Sequence, residues 1–413
     1  MQTRVVSPAL QPRVTIPDCH AATQANGPIA TPDHSAPFIN IALQDLSITA
    51  LTATVLWWTF FLSVAFGAVM HRTQFCAMGS VADIVNFGDW TRMRMWALAI
   101  ATALLGTNVL AALGLINTDQ TIYTANRVLW LSALLGGVMF GFGMVLASGC
   151  GSKTLVRLGA GSLKALVVFV MLAVGAYATL RGITAELRVY GLDRVAVALN
   201  GAQDLPSVLA RHTAIARPTW LLVLGVGTAL ALGVWALWPR EARSPRHLLG
   251  GIGIGALVVA LWWVSGHLGF VAEDPQTLQH AYVGSTGNHM ESFTFVAPLA
   301  YTLYWFLMYS DASNVLSIGI VSVFGVIAGS ALHALATRRF RWEGLAGVED
   351  TANHIVGGLL MGIGGVTAMG CTIGQGITGV STLSITSWIA LASIIGGGVL
   401  GVKFQAWRLD RAC

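Results

Sequence analysis

Charge is what this sequence has least of. Lys, Arg, Asp and Glu make up only 10% of its 413 residues, against about 25% in an ordinary soluble domain, so it has too little polar surface to face water on all sides. The net charge of +5 is scattered over short segments and forms no basic block, which excludes a nucleic-acid footprint. Cysteine is also scarce. Five residues, with Cys19 near the start and Cys413 at the last position, give no disulfide framework, and no CxxC pair supplies a metal-binding spacing. Residues 1–50 lack the basic, apolar and cleavage regions of a signal peptide. They are polar, hold Pro8, Pro12, Pro17, Pro28, Pro32 and Pro37, and read as a disordered tail.

What fills the chain instead is apolar: 55% of residues, with a mean hydropathy of +0.70. Runs long enough to cross a bilayer fall near residues 51–70, 95–115, 129–149, 163–180, 219–238, 248–270, 314–335, 352–371 and 385–404. Shorter apolar stretches at 76–87, 151–160, 293–310 and 372–383 suit re-entrant half-helices. The fold class expected is an all-α polytopic membrane protein, about nine spans plus about four half-helices, embedded in a lipid bilayer. Trp57, Trp58, Trp130, Trp235, Trp262, Trp263 and Trp305 fit interfacial belts and lipid packing.

Lys and Arg in short loops are held on the cytoplasmic side. Arg240, Arg243 and Arg246 mark one such loop, Arg338, Arg339 and Arg341 another, and Lys403, Arg408 and Arg411 the basic C-terminal end at 406–413. The segment 272–292 has no Lys or Arg but carries Glu273, Asp274 and Glu291, and reads as external. This count requires 293–310 to be re-entrant and places the N-terminus in the periplasm and the C-terminus in the cytoplasm of a bacterial inner-membrane protein. Residues 181–217 come out external despite Arg181, Arg188, Arg194, Arg211 and Arg217, an exception that longer loops tolerate.

The chain also repeats itself. Residues 136–150, GGVMFGFGMVLASGC, match 357–371, GGLLMGIGGVTAMGC, at eight of fifteen positions and end on a shared cysteine. A fainter match sets QFCAMGS at 74–80 against SFTFVAP at 292–298, with Thr294 where Cys76 stands. The register gives repeat one at 51–180, a linker at 181–247 containing the span 219–238, and repeat two at 248–405. Because one half starts outside and the other inside, this is an inverted-topology repeat, whose sites lie near the midplane where broken helices meet.

Cys76, Cys150 and Cys371 each stand at a junction between an apolar run and a broken one. Half-helix N-termini there aim unpaired N–H groups inward and favour an anion without a buried counter-charge. A thiol adds a weak, polarizable donor suited to a soft anion. A lone membrane cysteine is usually a packing residue; it is the duplicated context that argues for function. Arg72, Ser80, Ser152, Lys153, Thr154, Thr294, Thr372 and Gln375 are the neighbours expected along such a path. Gly137 with Gly141, and Gly358 with Gly362, have small-xxx-small spacing for close helix packing. His71 and His354 read as interface residues, and Asp83 as a polar-network residue or, were protons coupled, the first carrier.

HRTQFCAMGSVAD around Cys76, GGVMFGFGMVLASGCGSKT around Cys150, ESFTFVAP at 291–298 and GGLLMGIGGVTAMGCTIGQGITG around Cys371 resemble the YeeE/YedE family of bacterial sulfur-transport membrane proteins, over residues 51–405. The resemblance implies an hourglass-shaped helical protein that relays thiosulfate along three cysteines, matched here by Cys76, Cys150 and Cys371. It implies a TusA-like or rhodanese-like cytoplasmic sulfurtransferase partner and no cofactor. The long segments at 1–50 and 181–217 leave a selenium-related substrate open. Two other classes stand beside it: a membrane sulfurtransferase holding sulfane sulfur covalently on cysteine, and a soft-metal permease, against which the isolated cysteines and scarce acids argue.

Overall fold

The computed structural model describes residues 36–274, 278–311 and 313–412, and of 36–47 and 412 only the backbone. The reading of residues 1–35 as a tail lies outside the described residues, as do Cys19 and Cys413. The chain divides into units Met1–Leu43 and Gln44–Cys413; the architecture below is that of the second.

The protein is an all-α polytopic membrane protein. Eight described helical segments are long and apolar enough to cross a bilayer: Ile48–Phe87, Thr91–Ala112, Trp130–Gly159, Leu163–Arg181, Arg217–Leu237, Pro245–Leu268, Ile318–Ala336 and Ile385–Arg411. Polar residues fix several starts. Ser244 and Ser317 accept from the N–H groups of His247 and Ile320, and Pro218 and Pro245 occupy first-turn positions where no N–H is needed.

Two of these segments are interrupted. The first holds α1 (Ala36–Thr73) and α2 (Ala77–Phe87), which part at Cys76; another holds α4 (Trp130–Leu146) and α5 (Gly151–Gly159), which part at Cys150. Between them lies α3 (Thr91–Ala112), and α6 (Leu163–Arg181) follows. At about 14 to 17 Å, helices the length of α2 and α5 cover half a hydrocarbon core. The helix α1 starts at Ala36, inside the segment read as a tail.

The ninth expected span, 352–371, is present as α13 (Val348–Thr367) but is not apolar enough to rank with the eight. Glu349, Asp350, Asn353 and His354 lower its apolarity, as do five glycines from Gly357 to Gly365. Its glycine-bearing face packs against both α4 and α6. The fourth half-helix is a π-turn, Gly374–Gly379, and α14 (Ile385–Ala412) follows it. Trp262 departs from the belt reading. It is fully buried and donates from Nε1 to Ser381 Oγ at 3.2 Å, whereas Trp57, Trp58, Trp130, Trp235 and Trp263 are exposed.

The arginine-bearing segment 181–217 has structure of its own: α7 (Ile183–Tyr190), α8 (Leu205–His212) and strand β2 (Val197–Ala198), paired antiparallel with β1 (Arg127–Val128). Two of its five arginines are paired with acids. Arg217 meets both Asp119 oxygens, at 2.7 and 3.1 Å, and the buried Asp204 at 3.4 Å, while Arg188 meets Asp193 at 3.4 Å. Charges neutralised in this way carry little orienting weight.

The duplicated glycines form a backbone seam. A β-carbon on Gly136 would lie 2.7 Å from Gly364 O, and one on Gly143 2.8 Å from Gly357 O. In the repeat register Gly136 corresponds to Gly357 and Gly143 to Gly364, so the two contacts are exchanged by swapping the copies. Swapping also exchanges the contact of α4 with α14 for that of α13 with α6.

Candidate functional site

Each of the three cysteines is positioned by the same chain reversal. The preceding helix closes with an N–H to carbonyl bond five residues back: Phe75 to Met70 at 3.3 Å, Gly149 to Met144 at 2.8 Å, and Gly370 to Gly365 at 2.8 Å. The residue before that donor is left-handed each time, although none is glycine: Gln74 (φ 56), Ser148 (φ 57) and Met369 (φ 59). This is a Schellman-type stop, and the conformation is uncommon for such side chains. Two residues later comes the cysteine, capping the N-terminus of the next helical piece.

The first free N–H groups of that piece meet the sulfur. Gly79 N–H donates to Cys76 Sγ at 3.4 Å and Gly374 N–H to Cys371 Sγ at 3.3 Å, with the N–H groups of Phe295 and Ile373 also facing Cys371. Cys150 Sγ meets Ser152 Oγ at 3.3 Å. All three are buried and free of disulfides. Cys150 lies near both of the others. Such nests of N–H groups accommodate negative charge.

Cavities flank this row. One, of about 290 Å³, is lined by Tyr123, Arg188, Glu291, Thr294, Tyr301 and Gly370 among others, and so reaches the residue before Cys371. The other, of about 500 Å³, is lined by His71, Gln74, Lys153, Arg157, Arg339 and Arg341 among others. They lie at opposite ends of α12 (Ile318–Ala336). Ile318 bonds to Gly284 beside the first, and the helix ends just before Arg338 at the second.

The non-helical stretch 291–295 aims Thr294. Phe293 and Phe295 are buried against Phe66, at centroid distances of 4.4 and 5.7 Å, so the alternation of an extended strand turns Thr294 the other way, to the first cavity. There its Oγ1 lies where a β-carbon on Gly374 would come within 2.4 Å. This close approach requires glycine at 374.

The other expected path residues divide into two groups. Lys153 donates from Nζ to Gln74 Oε1 at 2.9 Å and acts on Cys76 and Cys150, and Ser152 contacts Cys150. Thr372 Oγ1 and Gln375 Oε1 are buried beside Cys371 with no hydrogen-bond partner among the described residues. Ser80 and Thr154 instead donate back to the carbonyls of Cys76 and Cys150, at 2.8 and 3.0 Å, and serve their own helices. Arg72 is exposed and lines neither cavity. Asp83 pairs with Arg92 at 3.1 Å, as a network residue would. His354 donates from Nδ1 to Asp350 O, 2.7 Å away.

Sequence reading missed Tyr123, His333 and the placement of Glu291. His333 Nδ1 lies 2.8 Å from His71 Nδ1 across 262 residues of chain, and nothing local marks such a pair. Among the described residues no group of three or more His, Cys, Asp or Glu comes together to hold a metal ion.

Known proteins are similar to this chain in sequence. The thiosulfate transporter TsuA of Escherichia coli strain K12 is 28% identical over 351 residues, 83% of this chain and 91% of its own. TsuA of Spirochaeta thermophila is 27% identical over 366 residues, 86% of this chain and 100% of its own. The probable transporter YedE of Salmonella typhimurium is 29% identical over 112 residues, 27% of this chain and 26% of its own. A family model described as sulphur transport matches residues 72–400 and contains every junction described above, and the chain therefore belongs to the sulphur-transport family, the YeeE/YedE proteins its motifs resemble.

Proposed function

We propose that the protein is a bacterial inner-membrane transporter that takes up thiosulfate along Cys371, Cys150 and Cys76, in that order. The observation that carries this is the row of three buried thiols between two cavities, each thiol at the N-terminus of a broken helix. Thiosulfate joins a dianionic charge to a soft terminal sulfur. The N–H groups at Cys371 and Cys76 take the charge, and the thiols offer polarizable S–H donors to the sulfur. Several weak stations in series let the anion both enter and leave. The unmet oxygens of Thr372 and Gln375 favour a visiting polar guest beside Cys371.

In this reading the acidic-loop end faces the periplasm and the arginine end the cytoplasm. The names of the two TsuA relatives support thiosulfate as the anion. The basic cavity beyond Cys76 is where the anion leaves, drawn by Lys153, Arg157, Arg339 and Arg341. A TusA-like or rhodanese-like sulfurtransferase would receive it there. Growth on thiosulfate as sole sulfur source, in a strain without other sulfate or thiosulfate uptake, tests the assignment. Rescue that equimolar sulfate does not suppress is expected, since sulfate has the charge but no soft sulfur; competition by sulfate would remove the cysteines from selectivity.

A further inference from the structure

The cavity beside Cys371 contains a group that does not suit an anion path. Glu291 lines it, together with Thr294 and Gly370. The residue is held firmly. Its N–H donates to Ser265 Oγ at 3.2 Å, Ser265 Oγ donates to its carbonyl at 2.5 Å, and its Oε1 accepts the Thr286 N–H at 2.9 Å. No cation among the described residues pairs with the carboxyl. Arg188 of α7 lines the same cavity; one of its terminal nitrogens pairs with Asp193 at 3.4 Å, and its buried Nε has no partner among the described residues. The remaining titratable groups facing it are His289 on its own loop, Tyr123 on the α3–α4 connection and Tyr301 on α11 (Ala297–Leu307), with Arg181 and Tyr177 behind Tyr301. The stretch of α13 and the turn after it contribute Gly365, Val366, Met369 and Gly370, none of them titratable.

An ionised carboxylate here would repel a dianion at short range. A neutral carboxyl would do the opposite, because its O–H is a hydrogen-bond donor. Glu291 lies outside the spanning helices, and burial pushes its carboxyl up to about 7, with the Thr286 N–H opposing. Both forms are therefore populated near neutral pH.

We propose that Glu291, in its protonated form, is a positioning and selectivity residue that donates a hydrogen bond to the anion at the entrance to Cys371, so that anion and proton occupy this cavity together. The inference rests on the transport reading above. An anion in the cavity favours the neutral carboxyl, and reciprocally the proton favours the anion. The sign follows directly: admission is full below the Glu291 transition and is lost as external pH rises through it.

The test is initial uptake of radiolabelled thiosulfate into proteoliposomes containing the full chain, with external pH varied from about 6 to about 8.5. For the wild type the apparent KM should rise about thirtyfold over that range while the maximal rate holds, following the neutral fraction of one group. Glu291→Gln is close in shape, keeps an acceptor for Thr286 and always carries a donor. It should show a low KM at every pH. Glu291→Ala should show a flat profile at high KM, and His289→Gln, which removes the imidazole lining the same cavity, should keep the wild-type slope. Melting temperatures in detergent identify any variant that fails to fold. A Glu291→Gln variant with the wild-type pH profile would overturn the inference while leaving thiosulfate transport standing. Absence of wild-type uptake at every pH would overturn the transport reading and this inference with it.

Discussion

Lys153 Nζ lies 2.9 Å from Gln74 Oε1, a bond that ties the residue three past Cys150 to the residue two before Cys76. It holds the one lysine near the thiols at the mouth of the basic cavity. Lys153→Met keeps the stem and removes the ammonium, and uptake should fall roughly tenfold, the equivalent of about 1.4 kcal/mol for one charge-assisted contact. Lys153→Arg should retain most activity. Wild-type uptake by the Met variant would show that the ammonium does not act on the passing anion.

Serine is the informative replacement at the three cysteines. It keeps a small hydroxyl whose oxygen can still accept from Gly79 N–H and Gly374 N–H, but is harder than a thiol. Cys76→Ser, Cys150→Ser and Cys371→Ser should each reduce thiosulfate uptake at least about tenfold with expression unchanged. Cys19→Ser and Cys413→Ser should match wild type. Full activity in the three core variants would assign those thiols to packing.

The glycine seams can be tested without any substrate. A β-carbon on Gly141 would come 2.1 Å from Ile394 O, whereas one on Gly227 or Gly233 would meet nothing within 4 Å. Gly141→Ala should destabilise by about 3 kcal/mol, at the upper end for overpacking. Gly227→Ala and Gly233→Ala should leave the melting temperature unchanged or slightly raised, because alanine suits a helix interior better. Equal effects at all three positions would mean that α4 and α14 are not in backbone contact.

Orientation is open to thiol labelling in a background with the native cysteines replaced. Single cysteines at Gly287 or Asn288 should react with an impermeant reagent from outside intact cells, and those at Arg338 or Arg341 only after permeabilisation. Outside labelling of Arg338→Cys would mean that α11 and its flanks cross fully, and the inverted repeat would then have to be abandoned.

The elements were legible because lipid imposes a simple rule on long apolar runs, and the cysteine junctions were legible because the chain writes them twice. The limits have physical causes. The helix α13 packs a glycine-bearing face against α4 and α6, and those glycines lower its apolarity. The tryptophan at 262 looks like its neighbour Trp263 in sequence, and only the helix rotation that aims its indole at Ser381 separates them. Ser80 and Thr154 looked like path hydroxyls because they are near the thiols, but a serine or threonine four residues into a helix can reach back to its carbonyl. Glu291 appeared as one charge in a loop; its position in the cavity depends on Ser265, 26 residues earlier.

The exchanged contacts of Gly136 with Gly364 and Gly143 with Gly357 carry an evolutionary consequence. Each glycine is kept small by the backbone of a glycine in the other copy, so a bulkier residue arriving on one side has no room to settle unless the other side retreats. Two halves joined in this way cannot diverge freely along that face, however far their loops drift apart. The likeness between the halves is accordingly strongest in a run of glycines ending on a cysteine, and absent from the connection at 181–217, which has helices of its own.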